Sequence, residues 1–208
     1  MAHTKMVVIT GGPGTGKTSV IHLLRRKYPA MKESARLVLA RNSLFRNKNA
    51  REAKGKAFQE AIWELEVKHY ASALSIHAYY VFFDRGFFDG FAYSTLDRIV
   101  HLEDRIAQGH HIVYDAVFIL DPLPRRFYEK DKKRAESYEE ALRIHSLIAV
   151  MYRRYGYRPI RVPFSTAKKR AAFILQKLRK LHDQKNVRHH GLKAVVCRGA
   201  RFIKDVSP

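Results

Sequence analysis

A chain of 208 residues holds one α/β core but not two ordinary domains, and 46% hydrophobic residues with only 11 glycines and 7 prolines exclude extended disorder. The single cysteine, Cys197, excludes an internal disulfide, and with His182, His189 and His190 it matches no zinc-ligand spacing. The formal charge of +21 is lopsided: residues 1–121 carry 17 Lys and Arg against 12 Asp and Glu, residues 122–208 carry 23 against 7, so the C-terminal part presents either a solvated surface or a face for a polyanion, nucleic acid or acidic lipid.

Residues 5–10 form a β-branched apolar run entering a glycine turn, after which Val20, Ile21, Leu23 and Leu24 share one side of a helix. No charged-then-apolar leader precedes that strand and no apolar run reaches the roughly 20 residues of a membrane span, so a cytoplasmic protein is expected. A weakly signalled second strand is expected at 30–32. A long helix is expected at 52–76, with Phe58, Ile62, Leu65, Val67 and Leu74 apolar. Residues 79–83 and 111–120 read as strands covered on both faces, as in a parallel sheet. Asp121, Pro122 and Pro124 end the second of these, and a basic segment leads to Arg134. A helix at 138–155, a fifth strand at 158–163 and a helix at 166–182 follow. The alternation predicts an α/β, three-layer fold over residues 1–182, a five-stranded parallel sheet with helices on both faces. Residues 183–208 read as a basic C-terminal tail in which 192–197 and 201–206 form a small hairpin about Gly199.

The turn after the first strand, Gly11-Gly12-Pro13-Gly14-Thr15-Gly16-Lys17-Thr18, fits G-x-x-x-x-G-K-[ST] and sits between a strand and a helix, the context that pattern requires. Glycines let successive N–H groups point inward, the helix adds its positive end, Lys17 reaches the β and γ phosphates and Thr18 offers a hydroxyl to Mg²⁺. Gly12, Pro13, Gly14, Thr15, Gly16, Lys17, Thr18 and Ser19 are therefore the expected nucleotide contacts, for ATP or, as an alternative, GTP. A dinucleotide-binding turn needs a different glycine spacing and has no use for Lys17-Thr18.

Ligands of open parallel sheets lie beyond the C-terminal strand ends. That favours Asp84, directly after 81–83, as magnesium organiser or proton acceptor, with Arg85 beside it to grip an anionic or polar acceptor. Asp115, inside the next strand, and Asp121, at its end, read as a satisfied polar group and a turn residue. Ser165 is either near the nucleotide base or the cap of the last helix.

The P-loop, Val81-Phe82-Phe83-Asp84-Arg85-Gly86, Asp89 and Ala92-Tyr93 resemble the nucleoside and nucleotide kinase group of P-loop proteins. With Glu33-Ser34-Ala35-Arg36, Tyr114-Asp115-Ala116-Val117-Phe118 and Tyr155-Gly156-Tyr157, the chain is similar to a P-loop kinase-like family, the AAA-like ATPases allied to the NadR kinase domain. The resemblance implies a kinase-like lid in which Arg134, among Arg125, Arg126, Lys130, Lys132 and Lys133, closes over the transferring phosphate. It also implies acceptor binding by Glu33, Arg36, Arg85 and Asp89. The expected activity is Mg²⁺-dependent phosphoryl transfer from ATP to a small nucleoside-like or other hydroxyl acceptor, with Lys17, Asp84, Arg85 and Arg134 catalytic and Thr18 and Asp84 on the metal. The alternative is a nucleotide-dependent binding module whose basic face docks on nucleic acid or phosphoinositide lipids. A regulatory GTPase is disfavoured: Asn47-Lys48-Asn49-Ala50 lacks the aspartate of the guanine-reading motif.

Overall fold

The computed structural model describes residues 4–45, 55–96, 105, 107, 109, 111–129 and 136–189. In chain order these form β1 (Lys5–Thr10), α1 (Lys17–Leu24), β2 (Ala30–Met31), α2 (Ser34–Arg41), a 3-10 turn (Ser43–Phe45), α3 (Gly55–Leu74), β3 (Tyr80–Asp84), α4 (Asp89–Leu96), β4 (Ala116–Leu120), α5 (Arg125–Tyr128), α6 (Tyr138–Arg154), β5 (Ile160–Val162) and α7 (Ala167–His189). The sheet order is β2-β3-β1-β4-β5 and every pairing is parallel. This is the three-layer α/β architecture expected from the alternation of apolar runs.

Both faces of the sheet are buried, which explains why the strands read as unbroken apolar runs. Met6, Val8, Val81, Phe83, Val117 and Ile119 pack against α3, α4 and α6 through Trp63, Phe88, Phe91, Ile148 and Tyr152. Val7, Ile9, Phe82, Phe118 and Leu120 point the other way, toward α1 and α7 through Val20, Leu24, Ile174 and Leu178. The period of 2 along β1 thus divides one strand between two cores.

From β1 the chain lays β2 and β3 on one side, then crosses to lay β4 and β5 on the other, so the order reverses at β1. A crevice opens there beyond the C-terminal strand ends. The 11–16 turn, Asp84 and Asp121 all lie at that end.

Two expectations change. The strand expected at 111–120 begins only at Ala116, because side chains satisfy the preceding backbone. The Tyr70 hydroxyl donates to Val113 O and accepts from Val113 N, both at 3.0 Å. Tyr157 does the same between Ile112 O and Tyr114 N, both at 3.2 Å, and the Asp115 carboxylate accepts from Met6 N at 3.0 Å. Such bonds replace a ladder. The last helix also runs past residue 182 to His189, so the expected boundary between core and tail falls inside a helix. Residues 52–54, the 46–50 loop, Cys197 and the expected hairpin lie outside the described residues. Among those described, no helix is long and apolar enough to cross a membrane.

Candidate active site

The loop between β1 and α1 folds as an anion cradle because its backbone demands glycine. Gly11, Gly14 and Gly16 take positive φ, and Gly16 at 84° opens α1 from a left-handed conformation. Gly12 answers a different need. A Cβ there would stand 2.5 Å from Ala141 O and 2.9 Å from the His145 Cβ, so only glycine lets α6 close onto the loop. His145 Nδ1 accepts the Gly12 N–H at 3.3 Å, and burial lowers its pKa, favouring the neutral ring that an acceptor role requires.

Lys17 is buried in this cradle, its ammonium donating to Gly11 O at 2.7 Å, Gly12 O at 2.8 Å and Thr15 Oγ1 at 3.3 Å. Burial, and then the nearby Arg85 charge, lower it to about 7. A buried cation whose hydrogen bonds all go to neutral oxygens is stabilised by any anion that enters. Thr18 and Ser19 are exposed at the head of α1, and Pro13 and Gly14 are half-buried in the loop.

Three carboxylates stand at the same end of the sheet in different states. Asp84 closes β3 and is buried, and its Oδ1 finds no hydrogen-bond partner among the described residues. Burial and then the Glu33 charge push it up to about 6. Glu33, ahead of α2, takes Arg85 Nε on Oε1 at 2.8 Å and Arg36 Nε on Oε2 at 2.7 Å. Burial opposes its charge, yet the two guanidiniums hold it below the usual carboxylate range. Asp89 turns inward, accepting from Thr10 Oγ1 at 2.5 Å, the Tyr152 hydroxyl at 2.7 Å, Gly86 N at 3.2 Å and Arg85 Nη1 at 3.5 Å. Fully engaged by the protein, it orients Arg85 and Tyr152 instead of facing the crevice.

Arg85 is the hub of this arrangement. Its φ of 71° is the only positive value at a non-glycine residue among those described, and the turn swings the side chain back over the cradle, where Nη1 lies 3.4 Å from Gly11 O. The conformation is held by the Glu33 and Asp89 pairs and by the Tyr93 ring beneath the guanidinium. Arg36 also reaches Thr18 Oγ1 at 3.3 Å, tying α2 to α1 at the mouth.

The remaining expectations separate. Asp115 lies just before β4, at the opposite end of the strands from the cradle, its carboxylate accepting from Met6 N and pairing with Lys5. Asp121 pairs with Arg161 at 2.6 Å. The last helix is capped by Thr166, whose Oγ1 accepts from Lys169 N at 3.3 Å, and not by Ser165, which is half-buried. Arg134, Lys130, Lys132 and Lys133 lie outside the described residues, and so does the tail beyond His189 that would carry a polyanion face. Arg125 pairs with Glu129 and Glu139 and covers the Tyr138 ring.

Two features escape sequence reading. Arg170 on α7 is 2% exposed and donates to three carbonyls, Thr15 O at 2.6 Å, Asp121 O at 2.9 Å and Pro163 O at 3.0 Å. Glu66 on α3 is buried beside Ser34, whose hydroxyl also meets His69 Nδ1 at 3.2 Å. Beside Lys168 and Lys169, Arg170 looks like part of a solvated face. Its partners are carbonyls, which leave no mark in a sequence.

Thr18, Glu33 and Asp84 also line a groove of about 780 Å³ between α1 and α2.

A family model described as an AAA domain matches residues 6–170. No curated protein matches the sequence. Among solved structures, the deoxyadenosine kinase from M. mycoides with dCMP and dCDP is 15% identical, aligned over 84% of this chain and 99% of its own, with a TM-score of 0.60. The NadR protein in complex with NR is 18% identical over 79% of this chain and 46% of its own, TM-score 0.64. The thymidylate kinase from Ehrlichia chaffeensis is 14% identical over 85% and 100%, TM-score 0.60. At these identities the likeness is one of fold.

Proposed function

Because the chain belongs to the AAA domain family and has the fold of P-loop kinase-like ATPases, we propose that it transfers a phosphoryl group from ATP, or GTP in its place, to a hydroxyl of a small nucleoside-like acceptor. One observation carries the reading: a buried Lys17 ammonium inside a glycine cradle faces, at the same strand ends, an Asp84 oxygen without a partner and a Glu33 carboxylate aligned by two arginines.

The donor's phosphates replace the loop carbonyls as partners of Lys17 and take the N–H groups of residues 14–18. The residues present fit a divalent cation, since Thr18 offers a hydroxyl and Asp84 a hard, unpaired oxygen. Among the described residues no group of three or more His, Cys, Asp and Glu gathers, so such an ion would share its shell with phosphate oxygens. Mg²⁺ held by Thr18 and Asp84 would neutralise charge on the triphosphate.

Phosphoryl transfer is loose in its transition state, so positioning and charge count for more than proton abstraction. The acceptor oxygen bonds to the γ phosphorus, the bond to the bridging oxygen breaks and its electron pair leaves on ADP. The acceptor proton passes to the Glu33 carboxylate, which Arg85 and Arg36 keep ionised and aimed. Lys17 and Arg85 stabilise the charge that develops over the cradle.

Acceptor-dependent ADP release from the full chain with MgATP, across a panel of nucleosides and sugar alcohols, tests the reading. Lys17→Ala is expected to lower kcat by at least about a hundredfold while circular dichroism stays unchanged. Equal release from wild type and variant, or none with any acceptor, would refute it.

A further inference from the structure

His145 brings to the phosphate loop a polar group that the transfer mechanism leaves unused. It stands on α6, 133 residues along the chain from Gly12, and its Nδ1 accepts the Gly12 N–H at 3.3 Å. A neutral imidazole carries one proton, so a ring that accepts at Nδ1 holds its N–H at Nε2. Burial lowers the pKa of the ring and keeps it in that form. Nε2 meets no hydrogen-bond partner among the described residues. The ring is half-buried, and the charges that act on it are those of Asp121, Lys17 and Arg161. All three stand at the cradle end of the sheet, Arg161 through its pair with Asp121.

Gly12 is held from two sides. The Lys17 ammonium donates to its carbonyl at 2.8 Å, while His145 takes its amide. Ring and ammonium thus flank one residue of the loop, and in a loop of this type the lysine reaches the β and γ phosphates. The approach of α6 is fixed at this point, since a Cβ on Gly12 would lie 2.5 Å from Ala141 O and 2.9 Å from the His145 Cβ. Two turns further on, the Tyr152 hydroxyl anchors the same helix to Asp89 at 2.7 Å. A donor held in this way needs no reorganisation when a phosphate arrives. Its neutrality matters as well. Burial and the Arg85 charge already lower Lys17 to about 7, and a further fixed cation beside Gly12 would weaken its hold on its proton. An imidazole N–H adds a hydrogen bond without adding charge.

Resting on the donor side of the phosphoryl-transfer reading, we propose that His145 Nε2–H donates a hydrogen bond to the γ phosphate of the bound nucleotide. The helix α6 thereby supplies a contact that distinguishes a nucleoside triphosphate from a diphosphate.

Calorimetric titration of the full chain with ADP and with AMP-PNP, each with Mg²⁺, tests this through the ratio of the two dissociation constants. Damage to the loop weakens both nucleotides and leaves the ratio alone, whereas loss of a γ-phosphate contact moves it. His145→Asn keeps an acceptor for the Gly12 N–H but ends short of the Nε2 position. It is expected to weaken AMP-PNP by about tenfold or more while ADP changes by less than about twofold. His145→Gln carries an amide N–H out to the Nε2 position and gives up the Nδ1 acceptor. It is expected to keep the ratio within about threefold of wild type, even where both nucleotides bind more weakly. A wild-type ratio in His145→Asn would overturn the proposal, and so would a ratio in His145→Gln that shifts as far as in His145→Asn. Transfer and the His145 contact fail separately. Should wild type bind AMP-PNP yet release no ADP with any acceptor, transfer falls and the ratio still decides on His145. Should wild type bind neither nucleotide, both fall.

Discussion

Glu66 is a carboxyl group placed where it cannot easily be charged. It is 4% exposed, and burial pushes it up to about 8, with the Ser34 hydrogen bond only partly opposing. In the unfolded chain it ionises near the ordinary glutamate value, so between about pH 4.5 and pH 8 the folded state binds one proton more than the unfolded. Stability therefore falls as pH rises through that window, by at most about 1.4 kcal/mol per unit. Glu66→Gln keeps the shape and the hydrogen bond to Ser34 but has no proton to lose. Urea unfolding at pH 5 and pH 8 is expected to show similar stability at pH 5 and a more stable variant at pH 8, and an unchanged slope would remove Glu66 as its source. Nothing in the 20-residue run of α3 marks Glu66 apart from Glu60 and Glu64, because burial depends on which side of a helix meets α2 and α4. The positions of Lys17 and Asp84 were legible for the opposite reason: a phosphate loop fixes Lys17 by residue type and spacing along the chain itself, and Asp84 directly follows an apolar strand.

Among the elements, α7 does more than cover the sheet. Through Arg170 it ties the phosphate loop at Thr15, the end of β4 at Asp121 and the end of β5 at Pro163, with the Phe164 ring against the guanidinium. One guanidinium thus spans three strand-to-helix connections, and replacing it with an apolar chain of similar length leaves three carbonyls without donors. Arg170→Met is expected to cost on the order of 3 kcal/mol in urea unfolding and to weaken ATP binding, since Thr15 O loses its anchor. Arg170→Lys, offering one ammonium in place of a fork, is expected to recover less than half of that. A loss below about 1 kcal/mol in Arg170→Met would show that water replaces the guanidinium. The central strands β1 and β3 were read closely because each is apolar on both faces, whereas the reciprocal cap of Ser137 and Glu140 that starts α6 went unused as a signal. The start of β4 was misread since Tyr70 and Tyr157 come from distant elements to satisfy backbone that apolar composition alone assigns to a ladder. The α2 and α4 helices, eight residues each, are too short for periodicity to declare them.

At the scale of the whole molecule, charge is the property that secondary structure does not consume. Forty Lys and Arg meet 19 acidic residues, and the most buried ion pairs among the described residues, those of Arg85 with Glu33 and Asp89, lie inside the site. Most of the positive excess therefore repels itself across the surface, which disfavours the compact state relative to an expanded chain. Salt shortens the reach of that repulsion, from about 30 Å at 0.01 M to about 8 Å at 0.15 M, whereas buried pairs are screened little. The melting temperature is accordingly expected to rise between 10 and 150 mM sodium chloride, by about 2–4 °C if the relief amounts to about 1 kcal/mol in a chain of this size. The same rise in Lys17→Ala identifies long-range repulsion as its source. A rise confined to wild type points instead to chloride in the cradle. A fall with salt would mean that attractive pairs dominate the surface. The outcome bears on function, because an uncompensated positive field draws phosphorylated molecules toward the groove before any contact is made.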